Sequence, residues 1–110
     1  MDANKFAEAL ADTEGGPATS SWPDGGRALG PWQVHPDAFY SWLRMTGVQP
    51  ALNETWDNYV CRLVERMFDQ LIPNHTPTEI AMRWHLGHWS TPGAPDWDQE
   101  YADRFERFSA

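Results

Sequence analysis

The chain has 110 residues, a formal net charge of −8 at neutral pH, seven tryptophans and a single cysteine. This length is that of one domain, which we assign to residues 1–110, and it can bury a core without disulfides. Nucleic acids and anionic membrane surfaces are bound through clustered Lys and Arg, so the acidic balance argues against both partners. No apolar run of about 20 residues occurs in the sequence, so we expect no insertion into a membrane.

The first predicted helix covers residues 3–14. Leu10 and Glu14 stand four residues apart, which places them on one face of a helix with about 3.6 residues per turn, and Gly15-Gly16 end that helix. The carboxylate of Glu14 is therefore expected to point toward the interior. Partial removal from water raises the pKa of a carboxyl group, and glycosidases use such a group as a general acid. The alternative is a frayed helix end at which Glu14 faces water.

Residues 15–35 are predicted to form a long irregular loop rich in Gly and Pro. A loop of this length in a small domain is usually functional or disordered, and Trp22 and Trp32 argue against disorder. We expect a small β-turn or hairpin around residues 23–26. Near the end of the loop, Gln33 follows closely on two glycines and a proline, and its amide can both donate to and accept from a sugar.

The next two predicted helices supply much of the core. One begins at Pro36 and ends at Gly47, since proline favours the first turn and glycine favours the position after the last. The other has Asn53 as its N-cap and Pro73 as its terminator, and its apolar pattern extends from Trp56 to Ile72. The inward face of the first comprises Phe39, Tyr40, Trp42 and Leu43. The inward face of the second comprises Trp56, Tyr59, Val60, Leu63, Val64, Met67, Phe68, Leu71 and Ile72.

Two shorter helices complete the chain. Thr76 and Glu79 form a capping-box pattern, which starts a helix that runs to about His85. A Trp-rich loop over residues 87–96 leads to a last helix over residues 97–108. The residues of this last helix that are predicted to face inward are Tyr101, Phe105 and Phe108. We therefore predict a mainly α fold of about five helices with one long Gly/Pro-rich loop.

Four segments of the chain occur in an order that resembles a known family. Glu14 ends a helix before a glycine, residues 30–33 read Gly-Pro-Trp-Gln after Gly26, residues 84–87 read Trp-His-Leu-Gly, and Tyr101 comes late. This order is similar to that of the lysozyme-like superfamily, and most closely to its soluble lytic transglycosylase group. The family pattern has a Glu at a helix end, a Gly-x-x-Gly-x-x-Gln-type segment, a Tyr-Asn-x-Gly segment and a late Tyr. The resemblance covers nearly the whole chain.

The chain departs from this family pattern at three positions. Gly15 stands where the family has Ser, which removes a hydroxyl beside the acid. Trp84 occupies the position of the family's Tyr, and His85 occupies the position of its Asn. The second replacement changes the polar group near the bond that is cut. These departures leave a second interpretation open, in which a lysozyme-like module binds a glycan or a protein partner without cutting it. A third interpretation is a helical interaction protein whose resemblance to the family is chance.

The resemblance implies cleavage of the β-1,4 bond between N-acetylmuramic acid and N-acetylglucosamine in peptidoglycan. Glu14 would protonate the leaving oxygen and then act as a base. A hydrolase of the two-carboxylate type needs a second acid, for which Asp24 in the glycine-rich loop is better placed than Asp37 in a first helical turn. Lytic transglycosylases use the acetamido group and C6 hydroxyl of the substrate instead, and the sequence leaves both outcomes open.

The residues expected to bind the glycan have aromatic or amide side chains in or near these motifs. They are Trp22, Trp32, Gln33, Trp84, His85, Trp89 and Tyr101. Trp and Tyr rings offer flat platforms on which sugars stack. His85 and His88 have the spacing of a zinc pair, but no third ligand has a clear spacing, so we predict neither a metal nor a cofactor. We expect a monomer.

The N-terminus does not reveal where the protein acts. Residues 1–11 lack the long apolar run of a signal peptide. A peptidoglycan substrate would imply a periplasmic, secreted or wall-associated protein, and the sequence does not choose among the routes of export.

Overall fold

The computed structural model describes residues 1–23 and 28–110, and within these residues the chain forms five α-helices. They are α1 (Ala3–Glu14), α2 (Pro36–Thr46), α3 (Trp56–Leu71), α4 (Pro77–Leu86) and α5 (Gln99–Ser109). The prediction of a mainly α fold is confirmed. An isolated antiparallel bridge joins Leu29 to Val34 in the long loop. The turn expected around residues 23–26 involves Asp24, Gly25 and Gly26, which lie outside the described residues. None of the five described helices is long and apolar enough to cross a lipid bilayer.

Helix α3 is the centre of the core because its apolar residues follow the helical period without interruption. Its buried residues all belong to the predicted inward face and are Trp56, Tyr59, Val60, Leu63, Val64, Met67 and Phe68. Helices α1, α2 and α4 pack against α3, and α5 packs against α1 and α4. The ring of Phe6 in α1 stacks on Phe68, with 4.7 Å between ring centres. Packing against both α3 and α5 therefore fixes the position of α1 in the fold, and with it the position of Glu14 at the end of α1.

The structure corrects the starting points of two helices. Helix α3 is capped by Thr55 rather than by Asn53, because the Thr55 hydroxyl accepts a hydrogen bond from a backbone N–H of the first turn at 3.2 Å. Asn53 instead adopts the left-handed conformation, with a φ of 62°. Helix α5 begins at Gln99 rather than at residue 97, because the Asp98 carboxylate caps its first turn. The capping box predicted for α4 is present.

Two aromatic residues predicted to face inward are instead exposed. Tyr40 is 61% exposed and Phe108 is 43% exposed. Successive helical residues are rotated by about 100°, so Tyr40 lies about 160° around α2 from the buried Trp42. Phe108 lies in the final turn of α5, and the buried part of that helix comprises Tyr101 and Phe105 with the alanine between them.

Two buried tryptophans connect the long loop to the helices. The indole N–H of Trp32 donates to the carbonyl of Ala7 in α1 at 2.9 Å, and the indole N–H of Trp84 in α4 donates to the carbonyl of Trp32 at 2.8 Å. Trp84 also stacks on Trp42 of α2, with 5.9 Å between ring centres. The loop, α1, α2 and α4 are therefore held in one fixed arrangement.

Candidate functional site

Glu14 is the last residue of α1 and is partly buried. Gly15 follows in the left-handed conformation, with a φ of 68°, and its N–H donates to the carbonyl of Ala11, which ends the helix. Leu10 and Phe6, one and two turns earlier, are fully buried, so the Glu14 side chain leaves the helix on its core-facing side. Burial raises the pKa of Glu14 above its ordinary value of 4.5. The folded protein thus holds the proton of this carboxyl group more tightly than the unfolded chain does.

Four polar or charged side chains lie close enough to Glu14 to lower its pKa. They are His85 from α4, Tyr101 and Arg104 from α5, and His35 from the loop that precedes α2. Positive charge and hydrogen-bond donors stabilise a carboxylate and so lower the pKa of Glu14, but burial outweighs them. We call Glu14 and these four residues the acid cluster. Its members come from three helices and a loop, so only the tertiary structure brings them together.

The hydroxyl of Tyr101 is an available donor within the acid cluster. It is buried and makes no hydrogen bond of ordinary length and angle with the described residues. It is nevertheless near enough to Glu14 that each group affects the other: the pKa of Tyr101 is raised, first by burial and then by the Glu14 charge. Buried hydroxyls without a partner are uncommon in folded proteins. This hydroxyl is therefore available to donate to Glu14.

His85 is held in place by two residues of the α5 region. Its ring stacks on the ring of Tyr101, with 3.9 Å between centres and 8° between planes. Its Nε2 atom lies 3.1 Å from Oδ2 of Asp98, the N-cap of α5. The imidazole is thus fixed over the aromatic ring whose hydroxyl approaches Glu14.

The loop that leaves α1 packs directly onto the turn at residues 30–33. The backbone N–H of Gly16 donates to the carbonyl of Pro31 at 3.3 Å. A Cβ atom on Gly16 would lie 1.9 Å from the carbonyl oxygen of Gly30 and 2.2 Å from Nε2 of Gln33, so only glycine fits. Gln33, which was expected to bind the glycan, donates from Nε2 to the carbonyl of Gly30 at 3.0 Å. It therefore supports this turn beside the end of α1.

Asp57 anchors the first part of the long loop, a role that was not predicted from the sequence. Its Oδ2 atom accepts a hydrogen bond from the backbone N–H of Thr19 at 2.6 Å. Its Oδ1 atom is buried without a hydrogen-bond partner among the described residues, and a Cβ atom on Gly30 would lie 3.1 Å from it. The helix dipole alone explains an acid in a first helical turn, so no pattern in the sequence signals this long-range contact.

A groove of about 420 Å³ lies between the first half of α2 and the C-terminal end of α4. Its polar and tryptophan lining residues are His35, Asp37, Ser41, Trp42, Arg83, Trp84 and His85. We call it the α2–α4 groove. Two of its lining residues, His35 and His85, also belong to the acid cluster. Of the two candidates for a second carboxylate, Asp37 lines this groove and Asp24 lies outside the described residues.

The four tryptophans expected to bind the glycan divide into two pairs. Trp32 and Trp84 are only 7% and 9% exposed, and both of their indole N–H groups are used within the protein. Trp22 and Trp89 are 44% and 41% exposed. Trp22 packs edge-on against a ring of α3, with 5.1 Å between centres, and Trp89 stacks on His75 at 3.8 Å. Trp22 and Trp89 therefore present aromatic surface to solvent, while the other pair belongs mainly to the core.

Across residues 1–23 and 28–110, no group of three His, Cys, Asp or Glu side chains is arranged to hold a metal ion. His85 and His88 instead pair with separate acids, Asp98 and Asp96. Each of these two histidines therefore contacts a carboxylate of the segment that leads into α5.

Comparison of the chain with models of protein families, with curated proteins and with solved structures finds no match in any of the three. The function must therefore be inferred from the geometry of the site and from the order of the motifs.

Proposed function

We propose that this chain cleaves the β-1,4 bond between N-acetylmuramic acid and N-acetylglucosamine in peptidoglycan, with Glu14 as the general acid. The observation that carries the proposal is the state of Glu14, a partly buried carboxyl group with a raised pKa. It lies beside the hydroxyl of Tyr101, which has no other hydrogen-bond partner among residues 1–23 and 28–110. A general acid must hold its proton until the leaving group departs, and burial favours this. The motif order of a lysozyme-like transglycosylase supports the same assignment.

In the proposed reaction, the proton of Glu14 passes to the bridging oxygen as the bond from that oxygen to C1 of the N-acetylmuramic acid breaks. The electron pair of that bond stays on the oxygen, which becomes a hydroxyl of the departing N-acetylglucosamine. Positive charge develops at C1, and the Glu14 carboxylate then removes a proton from the attacking hydroxyl. Attack by water gives a reducing end, and attack by the C6 hydroxyl of the same sugar gives an anhydro end.

Tyr101 assists the step in which Glu14 loses its proton. A hydroxyl that can donate to a carboxylate stabilises the charged form, which is why the proximity of Tyr101 lowers the pKa of Glu14. Burial therefore raises the pKa of Glu14, while Tyr101 lowers it. The acid keeps its proton before the reaction, and the carboxylate is stabilised once the proton has gone.

Mass analysis of the products released from purified bacterial wall tests the proposal. We expect soluble glycan fragments at mildly acidic pH. Anhydro ends would identify a lytic transglycosylase, and reducing ends would identify a hydrolase. The absence of any released fragment from mildly acidic to neutral pH would contradict the proposal.

One observation favours a second candidate function, the binding of wall glycan without cleavage. His85 stands where the family pattern has Asn, and its Nε2 atom is taken up by Asp98 rather than left free for the substrate. Sedimentation of the protein with insoluble wall, without release of soluble fragments, would support this second function and exclude the first.

The rate of cleavage is expected to fall as pH rises through the raised pKa of Glu14, because the acid must be protonated. A profile of kcat/KM against pH measures this limb directly. A rate that stays undiminished well above neutral pH would show that Glu14 is not the proton donor.

The same pKa shift predicts how stability depends on pH. The folded state binds the proton of Glu14 more tightly than the unfolded chain does, so the free energy of unfolding falls as pH rises from 4.5 through the folded pKa. Glu14→Gln removes this loss of stability at higher pH, because an amide does not titrate. Thermal melting should give the variant a higher Tm than the wild type at neutral pH, and the difference should shrink below about pH 4, where both states are protonated. A difference that grows on acidification would contradict the assignment.

A further inference from the structure

Arg83 lies in the last turn of α4 and forms part of the wall of the α2–α4 groove. Its guanidinium carbon is 4.9 Å from the ring centre of Trp42 and 6.0 Å from that of Trp89. Trp42 is itself only 4% exposed and stacks on Trp84. The guanidinium group therefore lies over a rigid aromatic surface.

Arg83 has no carboxylate within salt-bridge distance and no hydrogen-bond acceptor among residues 1–23 and 28–110. Arg62, by contrast, is bound to both carboxylate oxygens of Glu54. Partial burial disfavours the charged form and lowers the pKa of Arg83. Its partners among the described residues are the rings of Trp42 and Trp89, which leave the edge of the guanidinium group without an acceptor. The helix dipole favours a base at this end of α4, but it supplies no partner for the donor hydrogens.

The geometry of Arg83 suits a carboxylate. A guanidinium group is planar and directs its N–H donors outward in its own plane, where two of them can bind both oxygens of one carboxylate. Contact with an aromatic ring occupies a face of that plane and leaves its edge available. Because the ring of Trp42 holds the group in place, less side-chain entropy is lost when a ligand binds.

The rest of the groove limits the charge of such a ligand. The ring of His35 can donate a hydrogen bond, as can the hydroxyl of Ser41. Asp37 lines the same groove and is negatively charged, so a ligand with several negative charges would be repelled. A single carboxylate on a mainly neutral molecule therefore fits better than a polyphosphate.

We propose that Arg83 binds the carboxylate of an acidic sugar through a bidentate contact in the α2–α4 groove. The identity of the sugar rests on the proposed function: where no peptide stem is attached, the lactyl group of N-acetylmuramic acid ends in a free carboxylate, and N-acetylglucosamine has no such group. The groove shares His35 and His85 with the acid cluster, so this substituent would lie beside the bond that Glu14 protonates. Because attachment of a peptide stem converts this carboxylate to an amide, Arg83 would favour peptide-free stretches of the glycan at this position.

Titration with N-acetylmuramic acid and with its methyl ester, followed by NMR at the side-chain Nε–H of Arg83, tests the inference. We expect the acid to bind about tenfold more tightly than the ester, the gain typical of a charge-assisted contact. Arg83→Gln should abolish this preference, and Arg83→Lys should restore only part of it because an ammonium group cannot bind in the bidentate manner. Arg66→Gln, which removes an exposed positive charge from α3, is the matched control and should retain the preference.

Equal affinity of the wild type for acid and ester would overturn the inference, as would an acid preference that survives Arg83→Gln. Acetate that binds as tightly as N-acetylmuramic acid would also overturn it, since the groove would then be a general carboxylate site. Wall digestion separates this result from the proposed function. Acid-selective binding without fragment release would retain the Arg83 site and reject cleavage. Fragment release without acid-selective binding would retain the proposed cleavage and reject the Arg83 site.

Discussion

Replacing Glu14 by Gln is expected to abolish the release of fragments from peptidoglycan while leaving the fold intact. Gln has nearly the same shape as Glu but cannot give a proton to the leaving oxygen, and general acid–base catalysis contributes about 10²–10⁴-fold to a rate. The loss should appear in kcat at every pH at which the wild type is active. Mass analysis of soluble fragments measures it.

Glu8→Gln is the matched control for this variant. Glu8 lies in the same helix, six residues earlier, and is exposed to solvent. The control makes the same change from a carboxyl group to an amide in the same helix, so it should keep the activity of the wild type. Comparable fragment release by Glu14→Gln and Glu8→Gln would show that the carboxyl group of Glu14 has no part in the reaction.

Replacing Gly16 by Ala is expected to cost about 2–3 kcal/mol of stability, which lowers Tm by about 10 °C. The added Cβ atom would lie 1.9 Å from the carbonyl oxygen of Gly30, and backbone of this kind cannot move aside as a flexible side chain does. The turn at residues 30–33 must shift away from the end of α1. We therefore expect activity to fall together with thermal stability, even at temperatures at which the variant is folded.

Gly47→Ala separates this steric effect from ordinary backbone strain. Gly47 has a φ of 67° at the end of α2, and a Cβ atom there would meet nothing within 4 Å. The expected cost is about 1 kcal/mol from the left-handed conformation alone, with no effect on activity. A Gly16→Ala variant as stable and as active as Gly47→Ala would show that the contact between the two loop segments is not needed.

The helices could be predicted because their signals are local. The apolar residues of α3 repeat at the helical period, and the capping box of Thr76 and Glu79 involves neighbours along the chain. Errors arose where two local signals competed. Asn53 and Thr55 are both good N-caps, and only the conformation at Asn53 decides between them.

Much less of the candidate site could be predicted, because its contacts join distant segments. The inward position of Glu14 follows from the period of α1, but nothing in the sequence places Asp98 beside His85. Arg83 also gives no local signal, since its cationic group is distinguished only by what surrounds it. Residues of this kind are recognised when three-dimensional structure shows which partners they have and which they lack.

The indole hydrogen bonds from Trp84 to the carbonyl of Trp32, and from Trp32 to the carbonyl of Ala7, join segments far apart in the chain. Neither indole proton can exchange with deuterium unless the loop separates from α4 or from α1. Their exchange rates therefore report how often this assembly opens, and the assembly is the one that gives Glu14 its surroundings. The raised pKa of Glu14 therefore depends on the whole fold. We expect it to be lost whenever these two indole hydrogen bonds open.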